Sequence, residues 1–251
     1  MKTVVLDPGH GGTDPGSCGF GLQEKELTLK LARLVALELS GYQARVVLTR
    51  DKDVSVMLAA RAELANAQKA DFFCSIHINS GGGTGFESYR YTRAFARTRG
   101  LQLAVHHLVA EYLARHDFRD RGIKWADFAV LRLTQMPAVL LECLFIDSAR
   151  DAAALKEGDF LDGLAGAIAQ GLVLALELVP VSPPSPAPGD GTPEGEIARL
   201  RERGLIVGEH KAADPVNWGE FATVLNRLAD RIDGREKDAQ KTDSRGQGVA
   251  L

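Results

Sequence analysis

Cysteine is the first scarcity. The 251 residues hold three, Cys18, Cys74 and Cys143, an odd number without framework spacing. That excludes a disulfide scaffold and fits synthesis in a reducing compartment. A basic excess is missing too: 30 Lys and Arg stand against 33 Asp and Glu, a formal net charge of −3 spread evenly along the chain. Binding to nucleic acid through counterion release needs a cationic surplus, so nucleic acid is not expected as a partner. No stretch reads as long and uncharged enough to span a bilayer, and no membrane partner is expected. The opening "MKTVVLDPGH" lacks both the apolar core and the small-residue cleavage site of a signal peptide. The expectation is synthesis in the cytoplasm without a signal peptide. Proline is sparse except in one place, where six of the ten crowd into residues 179–193, "VPVSPPSPAPGDGTP".

What is present is apolar patterning. Hydrophobic residues make up 45% of the chain, enough for a sizeable core. "TVVLD" (residues 3–7) is a β-branched run of the kind that forms a strand buried on both faces. Further strands are predicted at 44–50, 71–78, 86–91 and 138–145. Leu27, Leu31, Leu34, Val35 and Leu39 recur at helical spacing, and Gly41 stops that helix. Ser55 is expected to cap a helix running to Lys69, with Met57, Leu58, Leu64 and Ala65 inward. Helices are also predicted over 94–115 and 159–178. The fold class expected is α/β, a mostly parallel sheet covered by helices on both faces. The domains expected are 1–178, a Pro-rich linker at 179–193, a small α-helical region at 194–232 and a disordered tail at 233–251. Helical patterns in that region cover 194–203 and 218–232.

Functional groups in an open parallel sheet collect beyond the carboxyl ends of the strands. Four residues meet that rule. His10 follows the first strand, His77 ends the third, Glu142 lies late in "AVLLECLF", and Glu24 opens the first helix. Two histidines, a carboxylate and an open fourth position suit one catalytic Zn²⁺ per chain. Glu142 would stand outside the metal shell, moving a proton between water and a leaving amine. That describes a hydrolase of an amide or ester bond. Each residue also has an ordinary explanation: a histidine in a surface loop, or a first-turn glutamate favoured by the helix dipole. Glu142 and His77 resist it, because a polar group left unpaired on a buried strand is costly. His106 and His107 read as helix-surface or packing residues without a partner carboxylate nearby in sequence, and His116 and His210 as solvated. Cys143 faces away from Glu142. "GHGGTDPG" lacks the Lys-Ser/Thr ending of a phosphate-binding loop.

"VVLDPGHGGTDPGSCGFGLQEKE", "RAELANAQKADFFCSIHINS" and "MPAVLLECLFIDS" resemble, in that order, the signature blocks of zinc-dependent N-acetylmuramoyl-L-alanine amidases of the Amidase_3 type. The resemblance covers about residues 3–178. It implies His10, Glu24 and His77 as zinc ligands, Glu142 as the catalytic residue, and bacterial peptidoglycan as substrate, cut between N-acetylmuramic acid and L-alanine. Arg61 and Asn66 match a further recurrent pattern, with Arg61 expected to be structural. Some family members carry a long helical insertion that blocks the zinc; "ESYRYTRAFARTRGLQLA" leaves no room for one, so an open, constitutively active site is expected. A chain without a signal peptide resembles a phage endolysin acting on the wall after release, or otherwise a mother-cell lytic amidase. "ARLRERGLI…DPVNWGEFATVLNRLAD" is similar to half of an S-layer-homology repeat, which implies binding of a cell-wall polymer. A plain helical pair is the alternative, with Trp218 and Phe221 as packing residues. Two other functions stay open: an inactive amidase-like wall-binding protein, and a zinc peptidase acting on the stem peptide.

Overall fold

Short apolar runs separated by glycine and helical patterns fold, in the computed structural model, into a sheet that carries one strand for each run. The structure describes residues 1–181, 193–202 and 206. The chain divides into two units, Met1–Val181 and Ser182–Leu251. The first unit opens with β1 (Lys2–Pro8), β2 (Cys18–Gly19), β3 (Leu22–Gln23), α1 (Glu24–Leu39) and β4 (Ala44–Leu48). It continues with α2 (Leu58–Ala67), β5 (Phe72–Asn79), β6 (Phe86–Tyr91), α3 (Thr98–Ala114) and β7 (Asp120–Ala126). It closes with α4 (Ala129–Arg132), β8 (Ala138–Phe145), α5 (Ala149–Lys156) and α6 (Gly158–Leu176). In the second unit the described helix is α7 (Pro193–Glu202), where the pattern over 194–203 predicts one. The expected helix at 218–232, the tail at 233–251, most of the Pro-rich linker, His210, Trp218 and Phe221 lie outside the described residues.

Six strands form one sheet in the order β4-β1-β5-β8-β6-β7, with β2 and β3 a separate small pair. Neighbours in the large sheet run parallel except β6 and β8, so β6 and β7 point opposite to the other four. Two register pairs set polar residues side by side on adjacent strands. His77 of β5 lies beside Glu142 of β8, and Glu142 lies beside Glu87 of β6.

Strand alternation divides the core into two layers. Leu6, Cys74, Ile76, Val139, Leu141 and Cys143 face α1, α3 and α6, whose Leu31, Val105, Leu164 and Ile168 complete the larger cluster. Each of the Val, Leu and Ile side chains contributes about 1.5–3 kcal/mol through burial. Val5, Phe73, Ala138 and Leu140 face the other way, against Ala65 of α2 and Val130 and Leu131 of α4. Helices thus cover both faces, as expected. By length and composition α6 could cross a membrane, a property the sequence reading does not assign to it. Its apolar content has a soluble explanation, since it packs on α1, α3 and α5.

Several expectations need correction. The helix predicted from Ser55 begins at Leu58, and no side chain caps it. Ser55 instead donates to Gly11 O at 3.0 Å and accepts from Thr13 N at 3.0 Å, pinning the glycine-rich loop. Met57 and Leu58 point outward, 78% and 57% exposed. β7 and α5 were not expected; β7 is an edge strand of mixed polarity with a weak apolar pattern. The third helix starts at Thr98 rather than at 94. The helix predicted over 159–178, α6, ends at Leu176, where Glu177 turns left-handed at φ 53°. His106 is buried, one of the two roles expected for it, and its carboxylate comes from far along the chain: the ring lies 2.9 Å from both Ser88 Oγ and Asp120 Oδ1, and stacks on Phe86. Burial holds its pKa below the ordinary value, against the pull of Asp120.

Asp151 ties the end of β8 to the loop after β5. It is fully buried and accepts from Thr84 Oγ1 at 2.6 Å, Ser148 Oγ at 2.9 Å, and Gly85 N and Phe145 N at 3.0 Å each. Asp151→Ala would leave two buried N–H groups unpaired, an expected loss of roughly 2–4 kcal/mol in urea unfolding. A loss below about 0.5 kcal/mol would contradict that account.

Candidate metal centre

Glu24 is the first residue of α1, buried, with acid favoured at a helix N-terminus. Its Oε1 lies 3.1 Å from His10 Nε2 and 2.9 Å from His77 Nδ1, and accepts from Ile78 N at 3.1 Å. Its Oε2 accepts from Ser17 N at 2.9 Å. One donor atom from each of His10, Glu24 and His77 lies within 4.8 Å of the others. Two imidazoles and one carboxylate converging with a side open to solvent match what a catalytic zinc requires. All four residues expected at the site are brought together. Glu142 stands beside His77 in register, and its Oε2 is buried without a hydrogen-bond partner among the described residues.

The glycines of the loop are there for clearance. A Cβ on Gly9 would lie 2.3 Å from the His77 ring, and one on Gly16 would lie 2.7 Å from both Glu24 Oε2 and the His10 ring. Gly16 also sits at φ 66°, where an L side chain is strained. His10 itself adopts φ 61°, a conformation seldom held by a non-glycine residue unless its surroundings enforce it. A second irregularity follows the His77–Glu142 pair, where the register shifts and Leu144 turns to φ 71°. Such a bulge aims the strand end, and bulges recur next to active sites.

Enforcement comes from Arg61 of α2. Its guanidinium donates to Asp7 Oδ1 at 2.8 Å, Pro8 O at 2.7 Å, His10 O at 2.7 Å and Val56 O at 3.0 Å. Asp7 also accepts from Thr49 Oγ1 at 2.6 Å and Ser75 Oγ at 2.7 Å, so this buried carboxylate is fully partnered. Arg50 reinforces the same segment, donating to Pro8 O and Gly9 O. Asn66 acts elsewhere, bonding Leu133 O and Gln135 N in the segment before β8.

Sequence reading missed Asp14. Its Oδ2 lies 2.8 Å from His10 Nδ1, which leaves His10 Nε2 directed at Glu24. A carboxylate on the outer ring nitrogen fixes tautomer and orientation. The signal was available as an acid four residues after the histidine, but "TDPG" reads as an ordinary turn. Hydrogen bonding to Glu24 raises the His10 pKa to about 9, with burial opposing and Asp14 adding. Burial works against ionised Glu24, yet the two imidazoles hold it well below the usual carboxylate range. Burial pushes Glu142 up to about 7; His77 and His10 oppose this, and the Glu24 and Glu87 carboxylates add to it.

These groups open onto a cleft of about 510 Å³. Its polar side holds His10, His77, Asp14 and Glu142; Met57, Leu58, Phe128 and Val130 form an apolar wall. Only residues 92–97 separate β6 from α3, so that connection holds no long helical insertion, as expected.

Comparison with known proteins agrees with this geometry. Residues 4–173 match the family Amidase_3, N-acetylmuramoyl-L-alanine amidase. The chain is 46% identical over 181 residues to the endolysin of Bacillus phage SPP1, covering 70% of this chain and 67% of that protein. It is 47% identical over 180 residues to the sporulation-specific N-acetylmuramoyl-L-alanine amidase of Bacillus subtilis, covering 71% and 69%. The catalytic domain of CwlV, an amidase from Paenibacillus polymyxa var. colistinus, superposes with a TM-score of 0.67 at 35% identity, covering 71% of this chain and 99% of that one. With two thirds of its length in the family and its His-Glu-His cluster in place, the chain belongs to the Amidase_3 family of zinc-dependent N-acetylmuramoyl-L-alanine amidases, which are peptidoglycan hydrolases.

Proposed function

We propose that His10, Glu24 and His77 hold the zinc and that Glu142 moves the proton in hydrolysis of the muramoyl–L-alanine amide. The observation that carries this is Glu142 itself. It is a carboxylate on a buried strand, in register beside His77, with one oxygen that has no hydrogen-bond partner among the described residues and a pKa pushed up to about 7 by burial. A group poised there can both accept and return a proton at neutral pH. When bound, zinc supplies a Lewis acid for the scissile carbonyl and the attacking water. Glu142 takes a proton as the water oxygen bonds to the lactyl carbonyl carbon. The carbon–nitrogen bond then breaks, and Glu142 returns the proton to the departing alanine nitrogen. Asp14 orients His10, and Arg61 holds the backbone that carries it.

The biological role we infer is that of an endolysin-type enzyme acting on the wall after release. The likeness to the phage SPP1 endolysin supports this, with a mother-cell lytic amidase as the other role compatible with the relatives. We assign binding of a cell-wall polymer to the region at 194–232, on the strength of its sequence likeness to half of an S-layer-homology repeat.

Purified peptidoglycan digested by the protein should release new L-alanine amino termini without new reducing ends. New termini elsewhere in the stem would make the enzyme a peptidase. Full rate should need no added protein activator, and a chelator should abolish it. Glu142→Gln should lower kcat about 10²–10⁴-fold while zinc content stays at one per chain. Retained activity in that variant would remove Glu142 from its role. Arg61→Lys cannot reproduce the forked contacts to Asp7, Pro8 and His10. It should weaken zinc binding about 10- to 100-fold in competition with a chromophoric chelator. Sedimentation with cell walls, with and without residues 182–251, tests the second unit; equal binding would deny it that role.

A further inference from the structure

Beside Glu142 lies a charged cluster that the hydrolytic step does not use. Glu87 is its centre, buried and next to Glu142 across the β6–β8 pair. Its carboxylate accepts from Asn79 Nδ2, Tyr89 OH and Arg121 Nε, each at 2.8 Å, and from Lys124 Nζ. Two cations thus converge on the Glu87 carboxylate, with the Glu142 carboxylate next along the row. Both cations have donors to spare. Arg121 donates only through Nε, so its two terminal nitrogens have no acceptor among the described residues, and Lys124 uses one of its ammonium protons. The side chains are 29% and 37% exposed, so these donors can reach a ligand.

The cluster continues the row of the active site. From β5 the row crosses His77, Glu142 and Glu87 to the two cations on β7. Three strand spacings put β7 about 14 Å from β5, the reach of roughly four extended residues. Tyr89 links cluster and cleft: its ring lies 5.7 Å from Lys124 Nζ and 5.2 Å from Phe128, which lines the cleft. Arg121 is braced from the other side by the Phe145 ring at 4.8 Å. A guanidinium and an ammonium fixed side by side, with outward N–H groups, are suited to a carboxylate.

We propose that Arg121 and Lys124, preorganised by Glu87, bind a free carboxylate of the stem peptide beyond L-alanine, so that the enzyme prefers stems whose carboxylates are not amidated. The inference rests on the scissile amide lying at His10, Glu24, His77 and Glu142.

The test uses soluble muramoyl tripeptides that differ only in whether the stem carboxylates are free or amidated. The zinc-loaded wild-type enzyme should show kcat/KM about tenfold or more higher for the acid, the size of one charge-assisted hydrogen bond. That ratio should fall toward one in Lys124→Gln and in Arg121→Gln, and survive in Lys124→Arg. Calorimetry with zinc-loaded Glu142→Gln protein should show the acid binding more tightly by a similar factor. Equal handling of acid and amide by the wild type, or a ratio that survives both glutamine substitutions, would overturn the proposal. Cleavage of neither substrate by the zinc-loaded wild type would count against the assigned metal centre and Glu142, and the inference would fall with them.

Discussion

The buried carboxylate of Glu24 is the constraint around which the catalytic unit is arranged. An ion taken out of water needs close partners, or it costs several kcal/mol. Glu24 gains them from three directions at once: His10 from the loop after β1, His77 and Ile78 N from β5, and Ser17 N from its own loop. The start of α1, the end of β1 and the end of β5 must therefore meet at one point. The same convergence brings together donors for a cation. Neutralising Glu24 and assembling a metal-binding set are one structural act, which is why the loop between His10 and Glu24 tolerates so little bulk.

Fixing that loop falls to a second buried ion pair. Asp7 and Arg61 lie 2.8 Å apart, and both are almost wholly buried. A buried pair is weak evidence for stability as such, but it specifies geometry when its remaining hydrogen-bonding capacity is met. Here it is met by backbone carbonyls on either side of Gly9 and by Thr49 and Ser75. The strained left-handed φ of His10 is held by these contacts rather than by local preference.

What could be read from sequence depends on how local each cause is. β1, β5 and β8 are apolar runs, and α1 has helical spacing, so their existence and the strand-end positions of His10, His77 and Glu142 were legible. β7 was not, because "DRGIKWA" spends its polar residues on Glu87, His106 and solvent, and only tertiary contacts explain it. Ser55 has the right type and place for a helix cap, but the loop at Gly11 and Thr13 competes for its hydroxyl and wins. Asp14 was hidden for the converse reason, a turn residue by local chemistry that turns out to face an imidazole. Glu87 reads as a polar position on an alternating strand until the register sets it beside Glu142.

The reversal of β6 and β7 gives the site its asymmetry. Parallel strands all deliver their carboxyl ends, and the loops attached to them, to one edge. β6 runs against β8, so what it brings beside Glu142 is the start of a strand, with Glu87 its second residue. Loop-borne groups therefore collect on the β1–β5 side, where side-chain contacts from Arg50, Ser55 and Arg61 hold the backbone around the metal-binding residues. Strand-borne groups collect on the β6–β7 side, where the ladder holds Glu87, Tyr89 and Lys124 at fixed spacing. Among the described residues the face they share packs against α2 and the single turn of α4, whereas the opposite face carries α1, α3 and α6. The thinner of these layers leaves room for the cleft, and the thick layer on the other face supplies the burial that keeps the sheet rigid beneath it.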